Sequence, residues 1–101
     1  MIVECLYKVT EFYDDYLSYI GLFRKEVIIK YSDIDYIIFD VPIYRNRLSE
    51  MSQTVVLNIF IGKKRYSRPI PFSLNGKLEK FFRDKDIKIK KKFNEERNYG
   101  D

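Results

Sequence analysis

The sequence predicts an α+β domain, mostly antiparallel strand with one late helix, and three observations carry this. Residues 22–39, LFRKEVIIKYSDIDYIIF, place two β-branched and aromatic runs on either side of a short polar step, a pattern suited to a pleated, buried surface. Residues 54–61, TVVLNIFI, form a third such run, followed by Gly62 and then by Pro69 and Pro71, punctuation typical of a hairpin and an edge strand. After Asn75 the apolar spacing turns helical, with Leu78, Phe81 and Phe82 on one stripe.

Taken in order, residues 2–12 alternate imperfectly and, with β-branched Thr10, read as a first strand. Residues 13–20 fit two patterns. Phe12, Tyr13, Tyr16, Leu17, Tyr19 and Ile20 lie on a helical stripe, with Thr10 as an N-cap and Gly21 in the C-cap position. Asp14 and Asp15 instead make a natural tight turn, and the aromatic content favours a strand on each side of it. Arg24, Lys25 and Glu26 then break the pattern before the runs Val27, Ile28, Ile29 and Ile34, Tyr36, Ile37, Ile38, Phe39. Between these, Ser32 and Asp33 offer oxygens to local backbone, which breaks the ladder and lets the chain bend.

Pro42 cannot donate to a ladder, so it is expected to close the second run at an edge or corner. Residues 43–48 read as a short strand and 49–53 as a loop. Residues 54–61 are a strand, turned by Gly62, Lys63 and Lys64 into an edge strand over residues 65–72. Asn75 is placed to cap the helix, with Leu74 as a staple and an end near residues 84–86. Ile87 and Ile89 alternate with Lys88 and Lys90 in one more extended piece. From Lys91 on, KKFNEERNYGD has too little apolar content to bury, so the expected organisation is one domain over residues 1–90 and a mobile tail over 91–101.

At 101 residues the chain has room for one modest core. No apolar run of about eighteen residues and no signal-peptide pattern is present, which predicts a cytoplasmic chain without a transmembrane segment. Cys5 is the sole cysteine, consistent with a reducing compartment. The net charge of +4 is unevenly placed. Residues 1–62 hold six Lys or Arg against nine Asp or Glu, whereas residues 63–101 hold thirteen against six. A basic second half attracts nucleic acid, anionic lipid or an acidic protein patch, and charge alone does not choose among them.

The absent chemistry is informative. With no histidine, the commonest general base and metal ligand is missing. Cys5 lacks a partner to stabilise a thiolate and reads as a core residue. The four glycines are scattered singly, which excludes a phosphate-cradling loop. The acidic pairs Asp14 with Asp15, Asp33 with Asp35, and Asp84 with Asp86 each sit at an expected turn, where aspartate bonds local backbone. These observations predict a protein that is not an enzyme and needs no cofactor or metal.

The positive feature is basic. Lys63, Lys64, Arg65 and Arg68 on the hairpin, with Tyr66 among them, and Lys88, Lys90, Lys91 and Lys92 after the helix form a candidate binding face. Cations interleaved with an aromatic can track a phosphate backbone and stack a base; lysines on hairpins and edges also serve simply to solvate and to block stray strand pairing. Tyr7, Tyr13, Tyr16, Tyr19, Tyr44 and Tyr66 are candidates for a protein-binding surface, although a core without tryptophan must enclose many of them.

Residues 22–35 (LFRKEVIIKYSDID), Val55 to Ile61, Ile70 to Phe72 and the helix-to-isoleucine segment of residues 74–89 together resemble bacterial pleckstrin-homology-like domains over most of residues 1–90. The resemblance implies a bent antiparallel sheet or partly open barrel of about seven strands, capped by one C-terminal helix. It implies a non-catalytic interaction module that binds a protein partner, a peptide or a lipid headgroup, and it implies self-association as in bacterial members. Where lipid-binding relatives carry basic residues in the first hairpin loop, this chain has Tyr13, Asp14 and Asp15, and like charge repels a phosphorylated headgroup. Two other readings stand beside the protein-binding module. One is a nucleic-acid or anionic-surface binder that uses the basic second half. The other, suggested by small size and a bias to Ile, Lys, Asn and Tyr, is a phage or mobile-element protein that inhibits a host protein by binding it.

Overall fold

The computed structural model describes residues 1–5, 8–43 and 54–95, the side chains of residues 42, 43, 94 and 95 excepted. Among the described residues the chain is α+β, with eight strands in two four-stranded sheets and one α-helix near the C-terminus. The first sheet is an antiparallel meander of β1 (Ile2–Cys5), β2 (Lys8–Phe12), β3 (Tyr16–Ile20) and β4 (Glu26–Lys30). Asp14 and Asp15 lie in the bend between β2 and β3, so the stretch that fitted either helix or strand is strand.

The polar step after β4 is a 3-10 turn, Tyr31–Asp33, and it carries the chain from one sheet into the other. Tyr31 is buried there. Its hydroxyl donates to the Tyr13 carbonyl at 2.7 Å and its amide to the Asp15 carbonyl at 3.1 Å, which ties the crossing to the β2–β3 turn. The second sheet holds β5 (Tyr36–Ile43), β6 (Thr54–Ile61), β7 (Lys64–Pro71) and β8 (Lys88–Glu95) in the order β7-β6-β5-β8. β7 is an edge strand, as its two prolines require. At the two-residue turn between β6 and β7, Gly62 takes φ +58° and its amide donates to Asp35 Oδ2 at 2.6 Å. One of the paired aspartates is thereby committed to holding a turn.

Strand alternation fixes the inner faces. In the first sheet Val3, Thr10, Tyr19 and Val27 form one inward row, and Phe12, Leu17 and Ile29 the next. They face Ile37, Phe39, Val55, Leu57, Ile59 and Ile70 of the second sheet, all fully buried. The α-helix, α1 (Asn75–Arg83), closes the end of this sandwich at the Phe12 row. Leu78 and Phe82, four residues apart and so on one helix face, are fully buried. Phe82 meets Phe12 at 5.9 Å, Tyr31 at 6.1 Å and Phe39 at 6.4 Å between ring centroids, so one ring touches both sheets and the crossing between them.

Four expectations are corrected. Residues 2–12, expected as one strand, form two, β1 and β2, paired antiparallel with Cys5 opposite Lys8. Pro42 does not close its run, because β5 continues to Ile43. Pairing with β6 stops at Asp40, while pairing with β8 continues through Pro42 opposite Asn94, so the proline sits where only one neighbouring ladder remains. The extended piece after the helix is a full strand that continues past Lys90 to Glu95, and it lies parallel to β5 rather than antiparallel. The expected boundary at Lys91 therefore falls inside β8; residues 96–101 of the expected tail, and the expected strand and loop over residues 44–53, lie outside the described residues. Asn75 does not cap the helix. The 3-10 turn Phe72–Leu74 runs straight into α1, Leu74 occupies the cap position at φ −97° and ψ −2°, and Asn75 is already helical with its Oδ1 buried and unbonded, whereas a side-chain cap needs extended backbone.

Phe82→Ala is expected to lower the unfolding free energy by about 3–5 kcal/mol, the cost of a large core cavity, measured by denaturant unfolding. A second expectation concerns alkali. Burial, reinforced by Asp14, pushes the Tyr31 phenol well above its ordinary value. A raised native pKa gives stability that is complete below the unfolded value of about 10 and is lost as pH rises above it, because the unfolded chain ionises first. Unfolding free energy is therefore expected to fall above about pH 10, and less steeply in Tyr31→Phe.

Candidate functional site

The candidate basic residues do not share one surface. β7 and β8 are opposite edges of their sheet. On β7, Arg65 points outward, whereas Lys64, Tyr66 and Arg68 have inward parity; Tyr66 packs against the core and Arg68 is buried. Lys63 is exposed at the turn. On β8, Lys88, Lys90 and Lys92 share the outer face with Arg65, while Lys91 has the opposite parity and pairs with Glu79 at 2.9 Å. Glu79 also meets Arg83 at 3.1 Å, and the bond from Lys91 is the main reason its carboxyl is held below the ordinary range.

Arg68 marks a different site. The helix closes the sandwich at the Phe12 row; two residues further along β2, away from the helix, Thr10 meets the inward side chain of Arg68. The guanidinium Nε donates to Thr10 Oγ1 at 2.9 Å, Nη2 approaches the Val9 carbonyl at 3.4 Å, and the Tyr19 ring lies 4.1 Å away. Arg68 is only 7% exposed, and among the described residues no carboxylate pairs with it. Burial lowers its pKa and raises that of Tyr19. A buried cation without a counter-ion is costly, and this one faces a concavity of about 660 Å³.

That concavity is the open end of the sandwich. Tyr19 and Val27 form its walls, Lys8 stands at its rim beside Val9, and Gly21 comes so close to β4 that an added Cβ would lie 3.1 Å from Val27 Cγ2. Beyond Gly21 the β3–β4 hairpin ends in a tight turn, Leu22–Arg24, closed by the Lys25 amide donating to the Leu22 carbonyl at 3.4 Å. Phe23 (φ 61°) and Arg24 (φ 58°) are both left-handed, a conformation that costs an ordinary residue about 1–2 kcal/mol. The result is an apolar pair held in water, with Leu22 86% and Phe23 91% exposed. The open end thus combines apolar walls, two cations and no carboxylate among its lining residues, which suits an apolar ligand that carries negative charge.

Tyr13 and Tyr16 are exposed and stacked at 4.8 Å. They stand at the helix-capped end, near a second concavity of about 680 Å³ whose lining mixes Asp14 and Asp15 with Lys30 and Lys85. Tyr7 and Tyr44 lie outside the described residues. Cys5 is half-buried with Sγ 3.9 Å from Thr54 Oγ1, and among the described residues no group of three or more acidic or cysteine side chains is placed to hold a metal. Among these residues no helix is long and apolar enough to cross a membrane.

Sequence reasoning passed over Leu22 and Phe23, since an apolar pair between a glycine and two cations gives no sign of pointing into water. It also passed over Tyr36 and Phe60, for which a signal exists. Asn58 and Asp40 mark the outer faces of β6 and β5, and strict alternation puts Phe60 and Tyr36 on the same side. No family model matches the chain, and no curated protein does.

Arg68→Met keeps the length of the side chain and removes a buried charge with no ionic partner. It is expected to change the unfolding free energy by no more than about 1 kcal/mol, or to raise it. A loss of about 3 kcal/mol in chemical denaturation would instead make Arg68 a structural group.

Proposed function

We propose that this chain is a non-catalytic interaction module of pleckstrin-homology-like architecture that docks a partner protein at the open end of its sandwich. The observation that carries the reading is the Leu22–Arg24 turn. Its two apolar side chains are almost wholly exposed and its backbone is strained outward, and strain of this kind persists at sites of recognition. Ile20, 60% exposed, extends the same surface. Large apolar side chains around a concavity are the usual centre of a protein interface, and Arg68 inside the concavity supplies orientation for an acidic group.

The occupant that fits is a segment of a partner protein with apolar side chains against Leu22 and Phe23 and a carboxylate directed to Arg68. Recognition of this kind depends on contact area as well as charge, so it tolerates salt better than a purely ionic contact.

Affinity capture from the lysate of the native cell, after nuclease treatment and at two salt concentrations, is expected to recover one stoichiometric partner. The double variant Leu22→Ser/Phe23→Ser is expected to reduce that recovery at least tenfold with thermal unfolding unchanged. Equal recovery by the double variant would remove the β3–β4 tip as the docking surface.

A further inference from the structure

We propose that the outer face of the β7-β6-β5-β8 sheet is a binding surface for single-stranded nucleic acid, independent of the open end. One row in register crosses all four strands: Lys88, Tyr36, Phe60 and Arg65. The two central rings stack at 4.5 Å with 11° between their planes, and Lys90 Nζ lies 5.7 Å from the Tyr36 centroid. The next row runs Lys90, Ile38, Asn58 and Ser67, with the Ser67 hydroxyl 2.6 Å from Asn58 Oδ1. The third row adds Lys92 at one edge and Asp40 and Val56 in the centre.

The helix packs on the opposite side of the sheet, because Leu78 and Phe82 enter the core between the sheets. No described element covers the outer face. Its centre is aromatic, aliphatic and amide, while its two edges carry Lys88, Lys90, Lys92 and Arg65, all exposed, against a single carboxylate, Asp40. With strands about 4.8 Å apart the row spans roughly 14 Å between its edge cations. Each ring spends one face on the other and turns its second face toward an edge cation, which offers a base a place to stack beside a phosphate contact, the combination that single-stranded binding uses.

The chemistry separates this occupant from others. A duplex hides the faces of its bases, so it has nothing to offer the rings. An anionic membrane prefers apolar side chains that protrude, whereas Tyr36 and Phe60 are half-buried between polar neighbours. Lys91, the β8 lysine of opposite parity, is engaged with Glu79 and is excluded from the surface.

The test is fluorescence anisotropy with a labelled twelve-nucleotide oligothymidylate, a blunt twelve-base-pair duplex and phosphatidylserine vesicles as probes. The intact chain is expected to bind the oligothymidylate most tightly, with log K falling against log salt at a slope of about −2 to −3, as three or four phosphate contacts give. Lys88→Gln/Lys90→Gln is expected to weaken binding at least tenfold and to flatten that slope. Phe60→Leu is expected to weaken it at least fivefold with the slope unchanged, since stacking is not ionic; Tyr36→Leu replaces it should Phe60→Leu unfold. Leu22→Ser/Phe23→Ser is expected to leave oligothymidylate binding unchanged, so the two surfaces are judged separately. Absence of binding at low salt, equal affinity for the duplex, preference for vesicles, or insensitivity to both aromatic variants would each overturn the proposal.

Discussion

The side chain of Phe82 is the contact on which the arrangement depends. Its ring lies within 6.4 Å, centroid to centroid, of Phe12 on the first sheet, Phe39 on the second and Tyr31 at the crossing between them. A domain of this size has one modest core, and two four-stranded sheets joined at one turn need a wedge to fix their separation. The helix supplies it at one end only. Because α1 is a nine-residue helix, it closes the Phe12 row and does not reach the row of Thr10 and Tyr19. Closure at one end therefore leaves the other to be filled by something else, and in this chain that is the guanidinium of Arg68.

Arg68 is a poor stopper on energetic grounds. An aliphatic side chain in its place would complete the buried row of Phe39 and Leu57 and avoid desolvating a cation. Thr10 and the Tyr19 ring offset part of that cost, but neither carries a compensating charge. The same end of the molecule holds two left-handed residues in sequence and the two most exposed apolar side chains. The strained turn with its exposed pair, and the buried cation opposite it, are thus two departures from what stability favours at one end of the molecule, and it is on these that the proposed docking surface rests.

Much of the fold was legible because the signals were local. In β6 the alternation Val55, Leu57, Ile59 against Val56, Asn58, Phe60 states both the strand and its buried face. Pro69 and Pro71 state an edge, and β7 is one. The step at Ser32 and Asp33 states a bend, although not that it leads into a second sheet. What failed was set by tertiary partners. Pro42 fits inside a strand because pairing of β5 with β6 has already ended at Asp40, Lys91 to Glu95 are extended because β5 offers them a ladder, and Asn75 is denied its cap by the preceding turn. The candidate site was less legible still. Arg68 reads in sequence as one of four cations on a hairpin, and only the register of β7 against β6 shows that it points inward while Arg65 points out.

That register also explains how the uneven charge along the chain becomes an uneven charge in space. The outer face of the first sheet carries Glu4, Glu11 and Glu26 against Lys30, and the outer face of the second carries Lys88, Lys90, Lys92 and Arg65 against Asp40. The first sheet lies wholly within the acidic first half of the chain, while the second takes its two central strands, β5 and β6, from that half and both edge strands, β7 and β8, from the basic second half, so the acidic and basic charge separates onto opposite sides of the core. The two outer faces are therefore opposite in charge, and the lysines on the edge strand β8 oppose stray strand pairing. The two proposed surfaces meet only along β7, where Arg65 belongs to one and Arg68 to the other. A strand pinned by eight paired positions to β6 has little freedom to pass a shift from one side to the other, so the two proposed surfaces are expected to act additively rather than as a coupled pair.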